Sequence, residues 1–251
     1  MSVLETVGCG GQCDNMAQFS ITMAFQPVVD VINQEIYAYE ALVRGLNGEG
    51  AGQVLARVTN DTMYAFDQAC RVKAIEWAAR LGLKKRLNIN FMPNAVYHPT
   101  ACLQKTLATA KANNFPTDLI TFEFTENEQI VDREHIKNII MTYHDNGFVT
   151  AIDDFGAGYA GLSLLADFQT DVVKVDRELI INIDQNLARQ AILVGILTMA
   201  QMMGLKIVCE GVETPEEYKF LKESGVQFMQ GYLFAKPAFE RLVLDSEINW
   251  P

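Results

Sequence analysis

Apolar and polar positions change period several times along this chain, and each change marks an element. Phe19 to Val29 and Glu35 to Val43 both read as strands, joined by a turn at Asn33 and Gln34. No helix fits between them, so they are expected to form an antiparallel hairpin. Helical and strand-like segments then alternate. Helical stretches cover about Gly52 to Val58 and Ala65 to Leu81, with Ala74, Trp77, Ala78 and Leu81 on one face of the second. The strand Arg86 to Met92, a helix from about Ala101 to Asn113 and the strand Leu119 to Thr125 follow. Asp132 is the expected N-cap of a helix reaching about His144. Next come the strand Val149 to Asp154, a glycine-rich turn, a short helix near Leu162 and the strand Asp171 to Asp176. A long helix from about Gln185 is expected to stop before Gly204. The strand Lys206 to Gly211 precedes a helix capped by Thr214, with Pro215 first and Glu217 closing a capping box. Gln227 to Phe234 reads as the last strand.

Eight strands, six of them preceded by helical segments, predict an α/β fold with a mainly parallel sheet. Eight strands in a chain of 251 residues suit a TIM-like (β/α)8 barrel, and the opening hairpin makes its first strand antiparallel. A doubly wound open sheet is the alternative. Residues 1–17 show no period and are expected to be a flexible leader, with residues 18–251 forming one barrel domain.

Composition narrows the function classes. The apolar stretch Ala191 to Ala200 is too short to span a bilayer, and no Lys or Arg precedes Arg44 to make a secretory start. The expectation is a cytoplasmic protein without membrane contact in this segment. Cys9, Cys13, Cys70, Cys102 and Cys209 are scattered and odd in number, which suits free thiols in a reducing compartment. His98, His135 and His144 lack metal-ligand spacing, so a catalytic metal would be held by oxygen atoms, favouring Mg²⁺ or Mn²⁺ over Zn²⁺. A net charge of −11 excludes long nucleic acid as a partner, while a small anion stays possible if cations neutralise it.

The strand ends carry the chemistry. Glu40, Asn90, Glu123, Asp153 with Asp154, Lys174 with Asp176, Glu210 and Gln230 fall late in seven successive strands. Any one of these could be a solvated strand end. Together they converge, in a barrel, on the face where barrel active sites lie. Acids gathered so closely repel one another unless cations sit between them, and two divalent ions about 3.5–4 Å apart would fit.

The same residues resemble a family. Tyr39-Glu40-Ala41-Leu42-Val43-Arg44 contains the EAL signature of the cyclic-di-GMP phosphodiesterases. Asn88-Ile89-Asn90, Glu123-Phe124-Thr125-Glu126, Asp153-Asp154-Phe155-Gly156-Ala157-Gly158-Tyr159, Asp171 to Asp176, Glu210-Gly211-Val212-Glu213-Thr214 and Gln230-Gly231-Tyr232-Leu233-Phe234 follow in the family's order. The resemblance covers about Ile21 to Pro237. It implies hydrolysis of cyclic-di-GMP to linear pGpG by a water activated between two metals, Mg²⁺ or Mn²⁺. Glu40, Asn90, Glu123 and Asp153 would ligate the first ion, and Asp153 and Asp154 would help hold the second. Lys174 would contact the attacking water, Glu210 would act as base or through a metal-bound water, and Gln230 would orient that network. Arg44 would grip a phosphate, with Gln26 and Leu42 on the substrate side. Glu126 would fasten the loop after Asp154, Glu213 would support the site from behind, and Asp176 reads better as a structural residue of the barrel. Ca²⁺ is expected to bind and inhibit, because its looser shell misplaces the water. A homodimer is implied as well. Phe124, Gly45, Cys209 and Ala160-Gly161 depart from the usual pattern without removing a ligand. A catalytically silent cyclic-di-GMP receptor is the competing function; it is disfavoured by the full set of acids, Lys174 and the loop glycines.

Overall fold

A computed structural model describes residue 16 and residues 18–125, 132–158 and 161–251. Strand β1 (Ile21–Asp30) pairs antiparallel with β2 (Glu35–Gly45), turning through Gln34 at φ 53°. From β2 the sheet continues in parallel through β3 (Arg86–Asn90), β4 (Ile120–Thr125), β5 (Val149–Phe155), β6 (Val172–Val175), β7 (Lys206–Cys209) and β8 (Phe228–Met229). Strand β8 returns to β1 antiparallel, which closes the barrel. A short β9 (Ala238–Phe239), which the sequence pattern does not predict, pairs with Ala24 and Phe25 on the same edge of β1 as β8.

Helices α1 (Ala51–Leu55), α2 (Met63–Arg80), α3 (Pro99–Ala112), α4 (Arg133–Asp145), α5 (Gly161–Asp167), α6 (Arg177–Ile180), α7 (Leu187–Met203) and α8 (Pro215–Glu223) fill the connections. The capping signals act as expected. Asp132 accepts from the His135 amide, Thr214 and Glu217 form a reciprocal capping box, and Gly204 ends α7 at φ 71°. Among the described residues no helix is long and apolar enough to cross a membrane.

The last strand is the main departure. Gln227 to Phe234 was expected to be extended, yet only Phe228–Met229 is strand. The chain instead folds over Val212: the Val212 amide donates to the Gln230 carbonyl, and the Leu233 amide donates back to the Val212 carbonyl. Gly231 makes this possible, because a Cβ there would lie 2.0 Å from the Val212 carbonyl oxygen. Gln230 therefore lies just past its strand, as Glu210 does past β7. Strand β3 stops at Asn90 rather than Met92, whose amide is turned toward Asp67 at 2.9 Å. The strand expected to reach Asp176 ends at Val175, and Asp176 becomes the N-cap of the unforeseen α6.

Inward positions repeat every second residue, and two layers result. The lower layer is apolar: Val28, Ala38, Ala151, Val172, Val208 and Phe228 form one buried cluster. Two residues toward the open end, the same strands present Gln26, Glu40, Asp153, Lys174, Glu210 and Gln230. The outward positions bury against the helices. There Arg71, wholly buried, donates to Asp67 at 2.7 Å and to the Tyr143 hydroxyl at 2.5 Å. Its guanidinium lies 5.1 Å and 5.0 Å from the ring centres of Phe91 and Phe122.

Removing one partner of such a pair strands a buried charge, which typically costs about 3–5 kcal/mol. We expect Asp67→Ala to lose about that much in urea unfolding, and an Asp67→Leu/Arg71→Met double variant to recover most of it. An Asp67→Ala midpoint equal to wild type would show that the pair is stabilised elsewhere.

Candidate active site

Lys174 is the centre of the open end. Its side chain is 1% exposed, and its ammonium lies 2.8 Å from Glu123, 2.8 Å from Glu210, 3.0 Å from Asp153 and 3.3 Å from Glu40. Burial alone would lower this ammonium; the carboxylates around it, Asp153 foremost, hold it well above its ordinary range. The acids are pushed the other way. Burial, together with the charges of Glu40 and Asp153, raises Glu123 to about 8 despite Lys174. Burial, then Asp153, also raises Glu210 well above the carboxylate range. Asp154 rises to about 6 through burial and its neighbours Asp153 and Asp176.

Glu40 and Glu123 are each held by side-chain amides. Asn90 donates to Glu40 at 2.8 Å, Asn88 to Glu123 at 2.7 Å, and Gln230 to Glu40 at 2.9 Å. Gln230 also donates to Gln26 at 3.2 Å, which in turn donates to the Ala235 carbonyl. Asp153 and Asp154 are consecutive, so an ordinary strand would send them to opposite faces. The β5–β6 register shifts between Ile152 and Phe155, and Asp154 sits at φ 54°. That irregularity re-aims Asp154, as bulges beside functional sites do.

Two groups of three acids can each offer ligand atoms within 4.8 Å of one another: Glu40, Glu123 and Asp153, and Asp153, Asp154 and Glu210. Asp153 belongs to both. Its Oδ1 is buried near Lys174 but outside hydrogen-bond geometry to any partner. An all-oxygen donor set of this kind, with an acceptor left unsatisfied, fits hard divalent cations. Above it opens a cavity of about 330 Å³ lined by Glu40, Asp153, Asp154, Glu210 and Gln230 among others.

The structure thus gathers Gln26, Glu40, Asn90, Glu123, Asp153, Asp154, Lys174, Glu210 and Gln230. Asp176 caps α6 by accepting from the Glu178 amide. Glu213 lines the cavity and pairs with Arg177 at 2.8 Å. Leu42 and Arg44 share the Glu40 face of β2 but do not line this cavity, and Arg44 donates to the Val43 carbonyl at 2.8 Å. Glu126, Tyr159, Ala160 and, apart from Met16, residues 1–15 and 17 of the expected leader lie outside the described residues. The sequence reading gave no role to Asn88, Arg177 or Tyr232. Asn88 was visible as an alternate polar position in an apolar strand; nothing local distinguished Arg177.

A closed β/α barrel whose C-terminal face carries a cluster of oxygen donors suited to divalent cations, beside an open cavity, has its candidate site where barrel active sites lie. This chain belongs to the EAL domain family, whose model matches residues 14–237. Two curated proteins of Escherichia coli (strain K12) resemble it. The blue light- and temperature-regulated antirepressor BluF is 33% identical, covering 91% of this chain and 56% of that protein. The probable cyclic di-GMP phosphodiesterase PdeN is 32% identical, covering 91% and 45%. This chain therefore spans about half the length of those relatives. Among solved structures, a standalone versatile EAL protein from Vibrio cholerae O395, in a c-di-GMP-bound form, is 54% identical with TM-score 0.88, covering 90% of this chain and 95% of that one. Klebsiella pneumoniae BlrP1 in a manganese/cy-diGMP complex is 33% identical with TM-score 0.84, covering 88% and 57%. A calcium/cy-diGMP complex of BlrP1 is also known.

Raised acids carry a stability signature. A carboxyl whose folded value lies above its unfolded one stabilises fully below the unfolded value and loses that contribution as pH rises through the folded value. For Glu123 the window runs from 4.5 to about 8. We expect chelated protein to lose thermal stability across that window, Glu123→Gln to flatten the loss, and Mn²⁺ to restore stability at the alkaline end. A midpoint that rises with pH in the chelated wild type would contradict this electrostatic picture.

Proposed function

We propose that this chain hydrolyses cyclic-di-GMP to linear pGpG with two divalent cations, Mg²⁺ or Mn²⁺. The observation that carries the reading is Asp153, shared between two three-carboxylate groups beside one lysine. Glu40, Glu123, Asp153, Asp154 and Glu210 against Lys174 leave four net negative charges when all are ionised, which two divalent cations would balance. The named phosphodiesterase relative and the dinucleotide-bound neighbours support the substrate.

Glu40, Asn90, Glu123 and Asp153 would hold one ion, and Asp153 and Asp154 the other. Bound divalent ions supply Lewis acidity to the phosphodiester and make water more acidic. Glu210, half-buried at the cavity wall, accepts the proton from the attacking water. Lys174 holds that water's oxygen, and Gln230, tied to Glu40 and Gln26, fixes the network around it. The new P–O bond forms as one ester bond breaks, and the leaving 3′ oxygen takes up a proton. Arg44 lies about 13 Å beyond Glu40 along β2 and grips the far phosphate, with Leu42 between them. Glu126 anchors the loop after Asp154, and Glu213 steadies the rim. The same oxygens would also hold Ca²⁺, whose looser shell would misplace the water and inhibit. The barrel domain takes in residues 18–251, works in the cytoplasm and pairs as a homodimer, which the exposed Leu187, Val194 and Met202 on α7 support.

The antirepressor relative supports a second reading, a receptor that binds the dinucleotide and passes the signal to a partner. Turnover separates the two. Purified protein should release pGpG with Mg²⁺ or Mn²⁺ and stop in excess EDTA. Glu40→Ala should lose metal and nearly all activity. Glu210→Gln should keep dinucleotide binding while losing about 10²–10⁴-fold in rate, the usual size of a general-base contribution. Tight dinucleotide binding without any product would favour the receptor.

A further inference from the structure

Asn88 has no part in the chemistry above, and it does not line the cavity. It is 5% exposed on β3, two residues before Asn90 and at the same parity of the strand. A buried amide costs stability unless its polar atoms are paired, so an apolar side chain would be the economical choice there. Asn88 is paired at one end only. Its Nδ2 donates to Glu123 Oε1 at 2.7 Å, while its Oδ1 is buried with no hydrogen-bond partner among the described residues. The donor end is what this position uses, and the donor serves Glu123.

Glu123 is wholly buried, and its two oxygens have different partners. Asn88 takes Oε1. The Lys174 ammonium takes Oε2 at 2.8 Å, and the same ammonium lies 3.3 Å from Glu40 Oε2 and 3.0 Å from Asp153 Oδ1. Three carboxylate oxygens thus converge on one point, one from each acid of the Glu40, Glu123 and Asp153 group. The second Glu123 oxygen is drawn aside by the amide. A divalent cation standing where the ammonium stands would meet one oxygen of Glu123, not two.

We propose that Asn88 is a positioning residue that keeps Glu123 a one-oxygen ligand and so tilts the centre toward small cations and away from Ca²⁺; this rests on the cation centre proposed above. Mg²⁺ demands near-octahedral geometry and takes carboxylate oxygens singly. Ca²⁺ gathers roughly six to eight oxygens at longer distances and accepts both oxygens of one carboxylate. A Glu123 free to turn would offer its second oxygen, which the larger ion can use and the smaller cannot.

The test titrates chelator-stripped wild type, Asn88→Leu and Asn88→Ala with Mg²⁺ and with Ca²⁺ by calorimetry at one fixed pH, with the thermal midpoint measured alongside. Leucine keeps the volume and alanine empties it; neither carries a donor. Both variants should lose about 10–100-fold in Mg²⁺ affinity, the usual scale for a residue behind a metal ligand, and lose less for Ca²⁺, moving the ratio about tenfold toward Ca²⁺. In crystals soaked with Mn²⁺, Glu123 should meet the ion through one oxygen in wild type and through both in Asn88→Ala. A ratio that stays constant, whether both affinities hold or both fall together, makes Asn88 a structural support and overturns the proposal. So does a Glu123 that meets the ion in the same way in wild type and Asn88→Ala. Wild-type protein that binds neither Mg²⁺ nor Ca²⁺ overturns the cation centre and this role with it. Protein that shows the shifted ratio yet releases no pGpG supports the role of Asn88 and overturns the proposed hydrolysis alone.

Discussion

A single ammonium shared by four carboxylates sets the conditions for the whole open end of this barrel. Lys174 is buried, and so are Glu40, Glu123 and Asp153 around it. Burying any of these charges alone would be prohibitive, and only their mutual pairing makes the arrangement tolerable. The balance is incomplete, because the acids outnumber the lysine. Burial, together with this excess negative charge, raises Glu123, Asp154 and Glu210 above the ordinary carboxylate range. The same excess is a charge that divalent cations would balance.

The barrel delivers those charges with little machinery. Each inward-facing strand position repeats at two residues, so an apolar plug at Ala38, Ala151, Val172, Val208 and Phe228 is followed by Glu40, Asp153, Lys174, Glu210 and Gln230. The plug keeps water out from below, and the polar layer faces the cavity. Behind the sheet, Arg71 lies against Phe91 and Phe122, next in sequence to Asn90 and Glu123. Its partner Asp67 receives the Met92 amide, two residues past the end of β3 at Asn90. The helix layer thus fixes the strand ends from outside while Lys174 fixes the carboxylates from inside.

Much of this was legible because period-two patterning reports directly on facing. Polar residues interrupting apolar strands at one parity mark the inner layer, and Glu40, Asn90, Glu123, Asp153, Lys174 and Glu210 all stand out that way. The failures have physical causes too. Asp154 has the wrong parity, and only the β5 irregularity turns it inward. Gln230 to Phe234 is apolar enough to pass for strand, but Gly231 lets it fold onto Val212. Asp67 and Arg71, four apart on a helix, look like an ordinary surface pair. Their burial depends on Tyr143, a residue 72 positions from Arg71 in sequence. Arg177 pairs with Glu213 across 36 residues, a separation that no local pattern encodes.

The lysine also constrains how the proposed chemistry can begin. Without cations, Lys174 is committed to Glu40, Glu123, Asp153 and Glu210, and it has three donors to share among them. It cannot hold a water for attack in that state. Cations that take over Glu40, Glu123 and Asp153 would release those donors toward the cavity and leave Glu210 as its remaining carboxylate partner. The same exchange would ease the repulsion that, after burial, raises Glu210, because the charge of Asp153, the largest charge raising it, would then be neutralised. Cation binding would therefore prepare the lysine and the base in one step, since both are silenced by the same acids.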